Sequence, residues 1–423
     1  MVQKGKGEIW VIASLFFFIV DNLFANFMNM PNDAGISPVS VASLQVMPGF
    51  YESETAAYYN PASLTLAKSA SVSLSYVYFL PVLSASHFDI RNGAVNYGVV
   101  NFSFPVTHII KFGKRIVFGI VTGSDSLFTV PFQYYDSLDN SPQFFRYSRP
   151  QMIVVPSFGV KLHRNFRVGL GANIYVLARN EMDVETQITG KGLKGTKAEF
   201  NSKMEAGLVA GIMDYVGDFA FSFVYREGYG YEIKVTNLSD IYAGTAKLTT
   251  FTMLLNFYDS FVPDTYEFAT LYRMDSFSLG VRVRYSEWHA LEKLIKENDM
   301  IKKDYDIEFK NVFSYAVALR QFIGGPKRIS LYYSLGYDPS PLVSTYTPRV
   351  NFVDSGRFLV GVGAEIFYVN PTYLYKPLKF EIGYQFSRLN RRKFIIEDAD
   401  QNKATTTISG YTNTLSFMFS LNF

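Results

Sequence analysis

Apolar and polar residues alternate with a period of two over many short segments of the chain. The carboxyl-terminal segment shows this most clearly, with an apolar residue at every second position: Leu415, Phe417, Phe419, Leu421 and Phe423. The same alternation runs through residues 69–79, 277–285, 311–320 and 358–368. Because successive side chains of a strand point to opposite faces, this period predicts strands that turn one face toward an apolar medium.

Applied to the whole chain, the pattern predicts about 14 strands. Their predicted positions are 69–79, 95–106, 115–124, 151–162, 166–178, 203–213, 218–226, 265–274, 277–288, 311–321, 327–337, 357–368, 378–388 and 412–423. Beyond the amino terminus, no uninterrupted apolar run reaches the length of about 20 residues that a membrane-spanning helix requires. If the protein crosses a membrane, we therefore expect it to do so with strands.

The predicted connections alternate between short and long. Residues 163–165 and 274–276 form short turns, whereas 125–150, 179–202 and 227–264 form long loops. Short turns at one rim and long loops at the other are typical of a transmembrane barrel, with the short turns on the periplasmic side. A soluble two-sheet sandwich has no reason to keep this asymmetry.

Charged residues on the polar faces also argue against a packed soluble core. These residues are Arg167, Arg282, Arg284, Arg320, Glu365 and Glu381. A polar lumen accommodates them, and aromatic residues near strand ends suit the two membrane interfaces. We therefore predict an all-β fold, a transmembrane antiparallel β-barrel of about 14 strands over residues 69–423.

The amino terminus predicts secretion. Lys4 and Lys6 precede an apolar run from Ile9 to Val20, and Ala25 offers a small residue at a plausible cleavage point. This pattern is typical of a signal peptide over residues 1–25. The alternative is a single anchoring helix, but the run of about 12 residues is shorter than a membrane span. A secreted barrel is expected in the bacterial outer membrane.

Residues 26–68 do not alternate, and they lie between the signal peptide and the first strand. A barrel of about 14 strands encloses either a channel or a plug. The segment is long enough to fold back into the lumen, where Asn60-Pro61 makes a fixed turn because proline restricts both residues. We predict an amino-terminal plug, or hatch; the alternative is a flexible periplasmic tail.

Composition excludes several other classes. The chain has 423 residues, 17% of them aromatic, a net charge of +3 and no cysteine. A nucleic-acid partner is not expected at this charge, and a thiol-ligated metal site is impossible. The four histidines, His87, His108, His163 and His289, fall in predicted turns and loops and share no wall with a serine nucleophile. We expect no enzymatic activity, no metal site and no cofactor.

Short motifs resemble the FadL/TodX family of outer-membrane transporters. The motifs occur in the order of that family: Tyr58-Tyr59-Asn60-Pro61-Ala62, Pro263-Asp264-Thr265-Tyr266-Glu267, Ser286-Glu287-Trp288 and Gly336-Tyr337-Asp338-Pro339-Ser340-Pro341. The resemblance implies a 14-stranded barrel that carries long-chain fatty acids and other hydrophobic compounds, with Asn60, Pro61 and Ala62 in its hatch. One departure is Ser63, where many members have glycine.

Two groups of residues are candidates for ligand binding. The first is an apolar group in a predicted outer loop, formed by Phe251, Leu254, Leu255 and Phe257. It forms either a binding groove or a stretch that packs on the barrel rim. The second group, Arg282, Arg284 and Arg320, is suited to a carboxylate head group, although such arginines also bond plug residues or lumen acids such as Glu365. Pro156 interrupts a strand, as a local bulge or as a gap in the wall.

We therefore predict passive, hatch-gated uptake of a hydrophobic small molecule, a fatty acid or an aromatic hydrocarbon, by a barrel in contact with outer-membrane lipid. Two alternatives belong to other functional classes. A barrel of a protein-secretion or surface-assembly system would have protein partners, and a diffusion porin would conduct ions without affinity for apolar ligands. The residues that precede the first strand argue against the porin.

Overall fold

A computed structural model describes the greater part of the chain. The described residues are 35–51, 54–67, 70–85, 95–105, 115–135, 142–177, 181–184, 196–199, 205–243, 246–297, 308–323, 329–345, 354–368, 378–397 and 403–422. The predicted signal peptide, residues 1–25, and the first residues of the predicted hatch lie outside them. Among these residues, no helix has both the length and the apolar character to cross a membrane.

The described residues form 18 strands and a few short helices. The strands are β1 (Ser71–Ala85), β2 (Val95–Pro105), β3 (Ile116–Tyr135), β4 (Pro142–Lys161), β5 (Arg167–Leu177), β6 (Glu181–Val184), β7 (Thr196–Glu199), β8 (Glu205–Val216), β9 (Phe219–Arg226), β10 (Tyr229–Ala243), β11 (Ala246–Val262), β12 (Thr265–Arg273), β13 (Phe277–Ser286), β14 (Val312–Ile323), β15 (Ile329–Asp338), β16 (Arg357–Tyr368), β17 (Leu378–Glu397) and β18 (Lys403–Asn422). The helices are α1 (Pro38–Ala42), α2 (Pro48–Tyr51), α3 (Ala56–Tyr59), a 3₁₀ helix (Pro61–Leu66) and α4 (His289–Glu297).

Fourteen strands close into one antiparallel barrel. Its order is β1-β18-β17-β16-β15-β14-β13-β12-β9-β8-β5-β4-β3-β2, and β1 closes the barrel by pairing with both β2 and β18. Each of the 14 predicted strands overlaps one of these strands. The predicted transmembrane barrel of about 14 strands is therefore confirmed. The prediction succeeds because the two-residue period locates strands that have an apolar outer face.

Burial alternates along the wall in the same period. On β14, Phe313, Tyr315 and Val317 are exposed on the outer face, whereas Ser314 and Ala316 are buried on the inner face. Large exposed apolar residues recur on the outer face of the other strands, as in Leu74, Phe158, Leu170, Phe223, Phe268, Leu335 and Phe358. An apolar belt of this kind is what lipid contact requires.

Aromatic rings pair across neighbouring strands at both ends of the belt. At the rim with the longer connections, ring centroids lie 4.8 to 6.1 Å apart in Tyr225–Tyr266, Tyr266–Tyr285, Tyr285–Phe313, Tyr337–Phe358 and Phe386–Tyr411. At the opposite rim the distances are 4.7 Å in Phe219–Tyr272 and 5.0 Å in Phe380–Phe419. Tyrosine and phenylalanine girdles of this kind mark the two membrane interfaces, and the short turns mark the periplasmic side.

The structure differs from the sequence prediction beyond the belt. Residues 179–202 and 227–264 were predicted as loops, but they contain β6, β7, β10 and β11, which form a second sheet in the order β11-β10-β7-β6. Likewise β3, β4, β17 and β18 continue far past their predicted outer ends. Antiparallel pairs can extend beyond the membrane, where both faces meet water and alternation is no longer required.

The amino-terminal segment, described over residues 35–51 and 54–67, packs against the inner face of the barrel wall. Helix α1 contacts β15, β16, β17 and β18, whereas the 3₁₀ helix contacts β3, β4, β5 and β8 on the other side of the barrel. Met47 shares a buried apolar cluster with Leu271 of β12, and Leu64 shares another with Val121 of β3. The segment therefore forms part of a common core with the wall.

Candidate functional site in the barrel lumen

Asn60 organises the turn that the sequence singled out. Its side-chain Oδ1 accepts a hydrogen bond of 3.0 Å from Ala62 N and so caps the 3₁₀ helix, in which Pro61 is the first residue. Its Nδ2 donates to Ser222 Oγ at 2.8 Å and to the Ile212 carbonyl at 3.3 Å. One buried amide therefore fixes the turn and attaches it to β8 and β9.

Three glycines of the wall allow this turn to approach the strands closely. A methyl group on Gly169 would lie 2.7 Å from Pro61 Cβ, and one on Gly211 would lie 2.9 Å from Asn60 Cγ. On Gly159 it would lie 3.2 Å from Leu64 Cβ. Because carbon atoms in contact lie about 3.5 to 4 Å apart, the turn fits only against bare backbone.

A second set of glycines receives helix α1. A methyl group on Gly383 would lie 2.8 Å from Pro38 Cα, and one on Gly363 would lie 2.5 Å from Ala42 Cβ. Gly171 of β5 differs, because a methyl group there would meet Ser157 of the wall itself.

Buried charges join the segment to the wall. Lys379 Nζ of β17 lies 3.0 Å from Glu54 Oε1 of the segment and 2.6 Å from Glu381 Oε1 of the same strand. All three side chains are at least nine-tenths buried. On the opposite wall, Arg226 donates to the Tyr58 carbonyl and lies 4.4 Å from the centre of its ring. The sequence did not predict the Glu54–Lys379 pair, because only the packing of the amino-terminal segment against β17 brings the two residues together.

The three candidate arginines lie on the inner face of the wall, and each faces a carboxylate. Arg284 forms hydrogen bonds of 2.8 and 2.9 Å with Glu267, and also donates to Gln45 Oε1 of the amino-terminal segment at 2.5 Å. Arg282 Nη1 lies 3.7 Å from the same carboxylate. These contacts match the alternative that the sequence left open, in which lumen arginines bond the plug and lumen acids.

Arg320 forms a separate buried pair. Its Nη2 donates to Glu365 Oε2 at 2.9 Å and to Ser330 Oγ at 3.0 Å. The Tyr332 hydroxyl also donates to Glu365. A ligand carboxylate that binds Arg320 would therefore compete with Glu365, which already neutralises the charge of the guanidinium group.

The candidate apolar residues of the outer segment lie in β11 rather than in a loop. In the β10–β11 ladder, Phe251 is opposite Ser239, Leu254 opposite Thr236, Leu255 opposite Val235 and Phe257 opposite Ile233. The placement of their side chains lies outside what the structure describes, so their role in binding stays a prediction.

Pro156 interrupts the β4–β5 ladder. Val154 pairs with Ile174 and Ser157 pairs with Gly171, but Val155 and Pro156 have no partner in β5. The register is the same on both sides, so the interruption is not a bulge. Proline has no N–H to donate, which explains the break in hydrogen bonding.

Arg392 of β17 binds the connection between β15 and β16. Its guanidinium donates to Ser340 Oγ at 3.0 Å, to the carbonyls of Val343 and Ser344 at 3.0 and 3.1 Å, and to that of Asp354 at 3.1 Å. Asp354 also accepts from Ser340 Oγ at 2.7 Å. Burial of Asp354, in the connection before β16, raises the pKa of its carboxyl to about 6.

Two of the four histidines lie in the described part of the chain. His163 is exposed in the turn between β4 and β5, and His289 lies at the start of α4, 3.4 Å from Glu292. In the same part, no three acidic or histidine side chains form a group that could hold a metal ion.

Comparison with known proteins gives one curated relative and several similar structures. The relative, "Alkane uptake protein A" of Marinobacter nauticus, is 21% identical over 419 residues, which cover 94% of this chain and 92% of the relative. No family model matches.

Solved structures share the fold at low sequence identity. A Pseudomonas aeruginosa FadL homologue has a TM-score of 0.63 and 11% identity, over 94% of this chain and all of the other. The Ralstonia pickettii toluene transporter TbuX has a TM-score of 0.56 and 11% identity, over 93% and 99%. The Pseudomonas putida toluene transporter TodX has a TM-score of 0.54 and 11% identity, over 88% and 95%. The chain therefore has the FadL/TodX barrel fold, and the resemblance predicted from its motifs is confirmed.

Proposed function

We propose that this chain is an outer-membrane channel for uptake of hydrophobic compounds, in which residues 26–68 act as the hatch of a barrel formed by residues 69–423. The observation that carries the proposal is the amino-terminal segment, which packs on bare glycine backbone at opposite sides of the lumen. A segment held by packing and a few polar contacts can leave its seat without breaking the wall. A general diffusion porin instead keeps an open aqueous channel.

The proposed substrate class rests on the apolar residues of β11 and on what the similar proteins are named for. The relatives are named for uptake or transport of alkanes and toluene. Burial of each methylene contributes about 0.8 kcal/mol, so a chain of about ten carbons gains roughly 8 kcal/mol before ordering costs. We infer that a hydrocarbon or fatty acid binds through its apolar chain, first at the outer segment that contains Phe251, Leu254, Leu255 and Phe257.

A head-group site at Arg282, Arg284 and Arg320 is part of the proposal. A carboxylate ligand would share these guanidinium groups with Glu267 and Glu365. Arg320→Ala alone leaves the Glu365 carboxylate buried without its cation, which destabilises the protein for reasons unrelated to ligand binding. The paired variant Arg320→Gln/Glu365→Gln keeps polar side chains of similar size and removes both charges.

Binding of oleate and of hexadecane to this paired variant separates the two roles. We expect oleate to bind more weakly and hexadecane to bind as it does to the unmodified chain. An equal loss for both ligands would exclude head-group recognition by Arg320.

The hatch role is tested by locking the segment in place. The chain contains no cysteine, so Asn60→Cys and Ser222→Cys introduce a unique pair at side chains that bond at 2.8 Å. Cells that express this variant, treated with a short bifunctional methanethiosulfonate, should take up little labelled hexadecane, and a reductant should restore uptake. The two single-cysteine variants are the controls. Unchanged uptake in the cross-linked protein would refute a moving hatch.

A sideways exit into the membrane at Pro156 is a further part of the proposal. The missing β4–β5 hydrogen bonds support it, because the wall there is held on one side only. Replacing Pro156 by valine supplies an N–H and should close the ladder. If uptake by the Pro156→Val variant equals that of the unmodified chain, the exit does not lie there.

A further inference from the structure

The outer surface of the wall has a shallow cavity of about 380 Å³ where β17 meets β18. Phe386 and Tyr411 line it together with Arg388 and Arg391. Phe386, Arg388 and Tyr411 continue the outward rows of their strands, so the cavity faces away from the lumen. It is therefore separate from the hatch and from the lumen arginines.

A break in strand register forms this cavity. The β17–β18 ladder shifts between Leu389 and Arg392, so that two residues of β17, Asn390 and Arg391, face one residue of β18, Ser409. Gly410, which pairs with Leu389, has a φ of 154°, a conformation that residues with side chains rarely adopt. The bulge brings Arg391 to the same surface as Arg388.

The cavity lies at the outer membrane interface. The rings of Phe386 and Tyr411 are 5.8 Å apart and belong to the aromatic girdle at the rim of the long connections. Arg388 lies on the same face of β17, two residues further from the membrane centre. A guanidinium just beyond an aromatic girdle is at the level of lipid head groups, while its aliphatic stem stays against the apolar belt.

The two arginines of the cavity are exposed and have no hydrogen-bond or acidic partner in the part of the chain that the structure describes. Arg392, the next residue, differs, because it makes four hydrogen bonds to the connection between β15 and β16. Two exposed guanidinium groups beside aromatic rings are suited to an anion attached to acyl chains. Guanidinium binds phosphate oxygens in bidentate geometry, and the rings offer apolar contact to the chains.

We propose that Arg388 and Arg391 bind the phosphate group of a phosphorylated lipid in the outer leaflet, with its acyl chains along Phe386 and Tyr411. This site is independent of the proposed uptake through the lumen. It would attach one side of the barrel to the surrounding lipid, next to the bulge that precedes the loop-binding residue Arg392.

Native mass spectrometry of the full chain in detergent, titrated with bisphosphorylated lipid A, tests the proposal. We expect the Arg388→Gln/Arg391→Gln variant to bind this lipid at least tenfold more weakly. Arg164→Gln is the matched control, since Arg164 is an exposed arginine in the turn between β4 and β5 at the periplasmic rim. It should bind the lipid as the unmodified chain does.

Two further probes identify the ligand group. Dephosphorylated lipid A should bind the unmodified chain as weakly as the phosphorylated lipid binds the double variant. Inorganic phosphate at millimolar concentration should not displace the lipid, and displacement would indicate a site for free anions instead. Equal lipid binding by the double variant and the unmodified chain would overturn the proposal. Heat-dependent gel mobility and hexadecane uptake, both expected to be unchanged, verify that the double variant is folded.

Discussion

Replacing Gly169 of β5 by alanine tests whether the absence of a side chain there allows the amino-terminal segment to pack against the wall. The added methyl group would lie 2.7 Å from Pro61 Cβ and closer still to the Pro61 carbonyl carbon and to Ala62 N. These are backbone or ring atoms, which the Asn60 cap holds in place. Because contacting carbons need about 3.5 Å, the segment must move by about 1 Å or leave its seat.

The added methyl group destabilises the state in which the amino-terminal segment is packed against the wall. Gly169 pairs with Gly159 and Gly211 across the ladders, and alanine in an inward strand position leaves those backbone hydrogen bonds intact. Overpacking of this kind costs about 1–3 kcal/mol. The population of the unseated segment should therefore rise by about 5- to 150-fold.

The rate at which a maleimide labels Ala62→Cys measures that population. Ala62 is fully buried in the seated segment, and the chain has no other cysteine. We expect labelling to be about 5- to 150-fold faster when Gly169→Ala is added. The control is Gly49→Ala, whose methyl group meets its nearest neighbours at 3.8 Å. Equal labelling rates with and without Gly169→Ala, in a folded barrel, would refute the reasoning.

Four other substitutions probe buried polar groups. Glu54→Gln weakens the charge-assisted hydrogen bond to Lys379, worth about 1.5–3 kcal/mol, and should speed labelling of Ala62→Cys. Lys379→Met leaves the carboxylates of Glu54 and Glu381 buried without a cation, so it should speed labelling and also lower the thermal midpoint of the barrel. Thr414→Val removes a buried hydroxyl that has no partner in the described residues, so the midpoint should not fall; a lower midpoint would indicate bound water. In the folded protein the Asp354 carboxyl has a pKa of about 6, above its ordinary value of 3.8, so the folded state binds this proton more tightly than the unfolded state. The contribution of Asp354 to stability should therefore decrease as the pH rises from about 4 to about 6. Asp354→Asn should remove this part of the pH dependence of the thermal midpoint.

The barrel could be predicted from the sequence because one physical constraint acts on every strand in the membrane. Lipid on one face and the lumen on the other impose the two-residue period that located all 14 barrel strands. That constraint ends at the interface. Strands β10 and β11 lie beyond it, where polar residues occur on both faces, so the sequence pattern did not distinguish them from a loop.

The partners of the lumen charges could not be predicted for a different reason. Arg320 meets Glu365 because β14, β15 and β16 are neighbours in register, and Lys379 meets Glu54 because the segment folds back to β17. Alternation states which face a side chain occupies, but not which residue lies beside it. The sequence therefore identified the lumen arginines and left their partners open between ligand, plug and lumen acid.

The inward-facing glycines mark the places on the wall where the amino-terminal segment packs. Glycine in a strand costs roughly 0.5–1 kcal/mol relative to alanine and packs no side chain, so a wall with nothing close to its inner face has no use for it. Yet Gly159, Gly169 and Gly211 lie side by side beneath Asn60–Leu64, and Gly363 and Gly383 lie beneath α1. At each of them, a methyl group would collide with atoms of the amino-terminal segment. Clusters of inward glycines on adjacent strands thus indicate where a barrel receives another segment, and their substitution by alanine should disturb that segment before it disturbs the wall.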